Sequence, residues 1–115
     1  MSNEMSSSLA ELQELQSKIQ ATMIEKQQLM IQQSDIDRAL QSLKEVQGKT
    51  YEMIGTILVE RSKEDIEKGL LDRKQLIDLR LESLDKNERM FRSRMKAIAE
   101  KFEGMQKSQQ GNERR

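Results

Sequence analysis

Apolar residues recur at seven-residue intervals in two long stretches of this chain, and a short β-branched segment separates the two stretches. This pattern constrains the fold more than any other feature. Apolar positions alternating by three and four keep one stripe of a helix turned toward a partner helix. In the first stretch, 9–47, two series interleave: Leu12, Ile19, Lys26, Gln33, Leu40 and Leu15, Thr22, Leu29, Ile36, Leu43. Thr22, Lys26 and Gln33 are the polar interruptions. The second stretch, 62–107, carries a cleaner stripe of Leu70, Ile77, Leu84, Phe91, Ile98 and Met105. Its companion series, Lys74, Leu81, Glu88, Met95 and Phe102, is mixed. The chain contains no proline, so nothing interrupts either helix.

Local signals bound the two helices. Gly48 stands where a C-cap glycine belongs. Ser62-Lys63-Glu64-Asp65 places a cap residue before acids that suit the positive end of the helix dipole. Residues 1–8 are polar and serine-rich and read as a frayed end, as do residues 108–115 beyond Gly104. Gly69 is out of place inside the second helix, where glycine costs about 1 kcal/mol relative to alanine. Its absent side chain leaves room for another backbone. The polar seam residues read as devices that fix register at some cost in stability. If the two helices pair residues whose numbers add to about 110, Thr22 faces Glu88 and Ile36 faces Lys74.

The intervening segment, 50–61, is not helical in character. Tyr51-Glu52-Met53-Ile54-Gly55-Thr56-Ile57-Leu58-Val59 is apolar and β-branched with a glycine at its middle, which predicts two short strands and a turn near Gly55. A lone two-stranded hairpin is marginal in water, and a two-helix stem cannot bury Ile54, Ile57, Leu58 and Val59 together. The exposed strand edges are therefore expected to pair with other subunits. The expected fold is mainly α: a single domain built as an antiparallel two-helix coiled-coil hairpin around a central β-hairpin.

Composition narrows function. Lys and Arg number 20 and Asp and Glu number 20, which cancels the charge and argues against a nucleic-acid partner. No stretch reaches the roughly 18 apolar residues of a membrane span, and residues 1–10 lack the apolar core of a secretory signal. With no cysteine in the chain, the expectation is a soluble, cytoplasmic protein without membrane association. Histidine is absent too, which removes the commonest general base and the usual transition-metal ligands. Acid pairs such as Glu64-Asp65 and Asp35/Asp37 read as solvated helix faces. No catalytic residue, cofactor or metal site is expected, and the protein is read as no enzyme.

The eight methionines admit two readings. Singly, each is a gap filler in the seam. As a group toward the chain ends, with Leu9, Leu12, Leu15, Ile98 and Phe102, they form a plastic surface that accepts many shapes.

The segment Tyr51–Val59, the helix start Ser62-Lys63-Glu64-Asp65-Ile66, and the seam runs Leu40–Leu43 and Leu81–Leu84 together resemble the beta-type subunit of prefoldin. The likeness is strongest over residues 38–84. A single hairpin points to the beta class, since the alpha class carries two, and the short tails look closer to archaeal beta subunits than to eukaryotic paralogues. The resemblance implies a hexamer of two alpha-type and four beta-type subunits. Its hairpins join into a β-barrel-like body from which six coiled coils hang. It implies ATP-independent capture of unfolded client proteins at the coiled-coil tips, and their delivery to a group II chaperonin. By position, Tyr51, Met53, Ile54, Ile57, Leu58 and Val59 would be assembly surface, and Leu9, Leu12, Leu15, Ile98, Phe102 and Met105 client surface. Lys107, Arg114 and Arg115 would face the chaperonin. The competing reading is a structural or tethering coiled-coil adaptor without chaperone activity, which leaves the apolar hairpin without a purpose.

Overall fold

A computed structural model describes residues 2–113, with side chains through Lys107. Helix α1 (Asn3–Glu45), strands β1 (Tyr51–Ile54) and β2 (Ile57–Glu60) and helix α2 (Lys63–Glu113) follow one another, as the periodicity requires. The mainly α, antiparallel two-helix fold with a short β-hairpin is thus the observed one.

The element ends depart from expectation in instructive ways. Helix α1 starts at Asn3 rather than Leu9. Ser2 caps it: the Met5 amide donates to Ser2 Oγ at 3.1 Å, and the Ser6 amide to the Ser2 carbonyl at 3.0 Å. The seam also continues through Met5 and Ser8, both buried. Packing and a cap thereby override the weak helix preference of three consecutive serines.

At its other end α1 stops at Glu45, two residues short of Gln47. Gly48, with φ +100°, turns the chain without capping the helix directly. The last carbonyls are met by Lys63, whose Nζ donates to the Lys44 and Val46 oxygens at 3.3 Å each. Helix α2 begins as expected: the Asp65 amide donates to Ser62 Oγ at 3.1 Å. It runs on through Gly104 to Glu113, beyond the expected 107. Gly69 lies within regular helix, and a Cβ placed there would meet nothing within 4 Å. Among the described residues, none outside its own turn of helix comes that close.

The chain divides into two compact units, Met1–Glu25 with Ser83–Arg115, and Lys26–Glu82. In the second, hairpin-bearing unit, Ile36, Leu43 and Ile77 are buried between the helices. Lys74 Nζ reaches Asp37 Oδ1 at 2.5 Å, and Gln33 Nε2 donates to Asp78 Oδ1 at 2.6 Å. Both pairs add to 111, close to the expected 110. In the first, terminal unit, Met5, Leu15, Ile19, Leu84 and Ile98 are buried. Thr22 is buried there as well, its hydroxyl satisfied by the Lys18 carbonyl at 2.7 Å.

Each seam position named from the sequence is buried or half-buried. Among the described residues, however, no large side chain is fully buried. Two helices alone have no interior, so each seam residue gains less than the about 1.5–3 kcal/mol that complete burial of a large apolar side chain supplies.

Candidate functional site

The hairpin is built around a two-residue turn, Gly55-Thr56. Gly55 has φ +62° while, among the described residues, none but glycines has positive φ, so Thr56 has negative φ, the pattern of a type II′ turn with glycine at its first central position. Strand register pairs Tyr51 with Glu60, Glu52 with Val59, Met53 with Leu58 and Ile54 with Ile57. Facing residues of an antiparallel pair share a side, so Ile54, Ile57 and Val59 form one face with Glu52. Tyr51, Met53 and Leu58 form the other with Glu60. Both faces are apolar and both are open. Met53 is 67% exposed, Ile57 65% and Leu58 63%, and Val59, the most covered of the six, is still 37% exposed.

The root of the hairpin is held firmly while its blade is bare. Thr50 is buried, its hydroxyl donates to the Arg61 carbonyl, and the Arg61 amide donates to the Thr50 carbonyl at 3.0 Å. Arg61 and Glu52 pair across the strands at 2.9 Å. The sheet has two strands, so each strand presents one edge without a partner within the chain. Such a blade is suited to adding strands and burying apolar faces between chains.

The second site expected from the sequence lies in the terminal unit. All six expected client residues fall on or beside the helix–helix seam. Leu15 and Ile98 are buried, at 7% and 3% exposure. Leu9, Leu12, Phe102 and Met105 are half-buried. Leu15 and Ile98 are covered by the paired helices, while the other four keep part of their surface in solvent. On one side the seam is bridged by charge: Arg94 holds both carboxylate oxygens of Glu11, at 2.7 and 3.3 Å, and Lys101 lies 3.6 Å from Glu4. These pairs border a recess of about 280 Å³ over Ser8 and Ile98. The hydrogen bond from Arg94 holds the Glu11 carboxyl below its ordinary pKa, and the same bond raises that of Arg94. Nearby, the Lys18 ammonium lies 5.8 Å from the centre of the Phe91 ring, within cation–π range. Lys107 is exposed; Arg114 and Arg115 lie outside the described residues.

Sequence reasoning passed over a third group. Ile24 and Ile31 on α1, and Leu71, Leu76 and Leu79 on α2, are exposed apolar side chains outside the seam, beside Met23, Met30 and Met90. Subtracting the seam positions from the apolar residues would have found them. Among the described residues no cluster of three or more acidic side chains is arranged to hold a metal, and no helix is long and apolar enough to cross a membrane.

A coiled-coil stem carrying a root-anchored hairpin with bare edges defines a subunit built to assemble with others. Comparison with known proteins narrows the class. A family model described as prefoldin subunit matches residues 6–109. The chain is 31% identical over 105 residues to prefoldin subunit beta of Archaeoglobus fulgidus, covering 90% of each chain. It is 31% identical over 107 residues to that of Caldivirga maquilingensis, covering 91% of this chain and 88% of the relative. Its fold matches the crystal structure of the prefoldin beta subunit from Thermococcus strain KS-1 with a TM-score of 0.83. That match covers 91% of this chain and 94% of the other at 18% sequence identity. The chain belongs to the prefoldin family of chaperone subunits, and its resemblance within the family is to the beta type.

Proposed function

We propose that this chain is the beta-type subunit of an ATP-independent holdase, active in the cytoplasm as a hexamer of two alpha-type and four beta-type chains. Tyr51, Met53, Ile54, Ile57, Leu58 and Val59 join the hairpins of neighbouring subunits into a barrel-like body. The observation that carries this reading is the blade itself: six large apolar side chains stand exposed on a hairpin that has unpaired edges and a well-bonded root. Such a surface is stable in water only when other strands cover it.

The terminal unit is the working surface. Non-native polypeptide wedges between the helix ends and covers Leu9, Leu12, Leu15, Ile98, Phe102 and Met105. Support comes from the thinness of the packing there: these seam residues have neighbours on one partner helix only, and a recess already opens over Ser8 and Ile98. Several weak ends on one body gain avidity without a tight single site, so capture is broad and reversible. Held clients pass to a group II chaperonin, with Lys107 and the basic Arg114-Arg115 end as its contact.

The test compares aggregation of a denatured client alone, with this chain, and with this chain plus an alpha-type partner. Protection is expected to rise sharply with the partner. Removing residues 1–15 and 98–115 should abolish protection while the oligomer persists. Equal protection by the truncated complex would show that the helix ends are not the client surface. A complex that assembles normally but protects no client at any ratio would favour the tethering adaptor.

A further inference from the structure

Four charged side chains in the terminal unit form two rungs across the seam. Arg94 holds Glu11 at 2.7 and 3.3 Å, and Lys101 lies 3.6 Å from Glu4. Glu4 and Glu11 are one seven-residue repeat apart on α1, as Arg94 and Lys101 are on α2. Ser8 lies four residues after Glu4 and three before Glu11, so it sits between them on one helix face. Ile98 sits between Arg94 and Lys101 in the same way. The rungs therefore frame Ser8 and Ile98, which are 9% and 3% exposed at the floor of the recess. Ser7, Ser8 and Ala97 are short side chains that fill this flank poorly, and the long charged ones span it instead. The pattern stops one repeat inward. There the equivalent positions are Lys18 and Asn87, which cannot pair as ions, and Lys18 turns to Glu14 on its own helix at 3.3 Å. The two rungs also act on each other: the Arg94 hydrogen bond holds the Glu11 carboxyl below its ordinary pKa, and Lys101 adds to the effect.

We propose that the Glu4–Lys101 and Glu11–Arg94 rungs are an electrostatic latch that holds the helix ends together over Ser8 and Ile98, and that this end of the seam opens by breaking it. The latch itself stands on the geometry; its part in capture rests on the reading that clients enter between these ends. Solvent-exposed ion pairs are individually weak and are screened by salt, which suits a contact that opens and re-forms. A polypeptide that wedges into the seam exchanges the rungs for apolar cover of Ile98. The latch thereby sets a threshold: segments that present apolar side chains open it, and wholly polar segments do not.

The chain has no cysteine, so Ser8→Cys places a single thiol, close in size to the native hydroxyl, beneath the latch. Its rate of alkylation by N-ethylmaleimide, an uncharged reagent, reads opening. Thr22→Cys, at a buried position of the same unit away from the rungs, is the control. In the full-length chain, Glu11→Gln and Arg94→Gln should each speed the reaction of the Ser8→Cys thiol about two- to fivefold, the range for losing an exposed ion pair. The Thr22→Cys rate should not change. A local field acting only on the thiol would move the two rates in opposite directions, because one variant removes a negative charge and the other a positive one. That result overturns the latch. So does equal acceleration of both thiols, which would mean that the rungs only stabilise the unit as a whole. The exchanged pair Glu11→Arg/Arg94→Glu should restore the slow rate, and a rate as fast as that of the single variants also refutes the proposal. In the complex with an alpha-type partner, Glu11→Gln should lower the concentration that half-protects a denatured client by a similar factor. If the thiol rates respond and protection does not, the reading of client entry fails and the latch stands. If the thiol rates do not respond, the latch fails whatever the clients do.

Discussion

Replacing Ile57 and Val59 with lysine puts two charges on one face of the hairpin, since alternate residues of a strand share a side. Ile57 is 65% exposed and Val59 37% exposed, so the isolated chain loses little by the exchange. Surface substitutions of this kind usually fall within about 0.5 kcal/mol. Association loses what covering the exposed fractions would have gained. Full burial of such side chains is worth about 1.5–3 kcal/mol each, which scales to about 1–2 kcal/mol for Ile57 and about 0.5–1 kcal/mol for Val59. Together they come to about 1.5–3 kcal/mol, or about 10- to 100-fold in the association constant at about 1.4 kcal/mol per decade. Desolvating the new ammonium groups deepens the loss. Sedimentation velocity across a dilution series, with and without an alpha-type partner, reads the association. A thermal melt of the isolated chain reads the fold. An oligomer that persists at the same concentrations, with the melt unchanged, would refute the assignment of the hairpin as assembly surface.

Other expectations follow from the same geometry. Leu84, at 3% exposure, is among the most buried side chains; Leu84→Ala should cost about 1–2 kcal/mol, below the range for an enclosed core, and lower the melting temperature with the oligomer otherwise intact. The Glu11 carboxyl has a lowered pKa through its hydrogen bond from Arg94, so its stabilisation is present above the ordinary value of 4.5 and is lost as pH falls through the lowered one. The melting temperature of wild type should exceed that of Glu11→Gln at neutral pH, the gap closing in acid; a gap that widens in acid would contradict this sign. Lys63→Ala removes the donor to the Lys44 and Val46 carbonyls, so hydrogen exchange in the last turn of α1 should quicken while the middle of α1 is unaffected.

The seam was legible residue by residue because its period follows from the pitch of a helix and needs no knowledge of the partner. The reversal at Gly55 and the cap at Ser62 were legible for the same reason: a residue that accepts positive φ, or a hydroxyl three residues before an amide, acts within a few bonds of itself. The helix starts and stops were less legible. Three serines speak for fraying, and the Ser2 cap together with the packing on Met5 and Ser8 outweighs them.

Cross-helix pairs such as Glu11–Arg94 and Lys74–Asp37 lie far apart in sequence, and a shift of one residue in register would assign each charge a different partner. How far each apolar residue stays uncovered was less legible: the heptad position of Leu76 and Ile31 sets them outside the seam, but their degree of exposure depends on how the two helices meet. Sequence by itself determined that the chain forms two paired helices with a β-hairpin between them, since that much is periodicity and local turn chemistry. Tertiary structure decided which charges pair across the helices and how deeply each seam residue is covered, because both depend on the neighbours a residue acquires, and those are set by how the two helices meet.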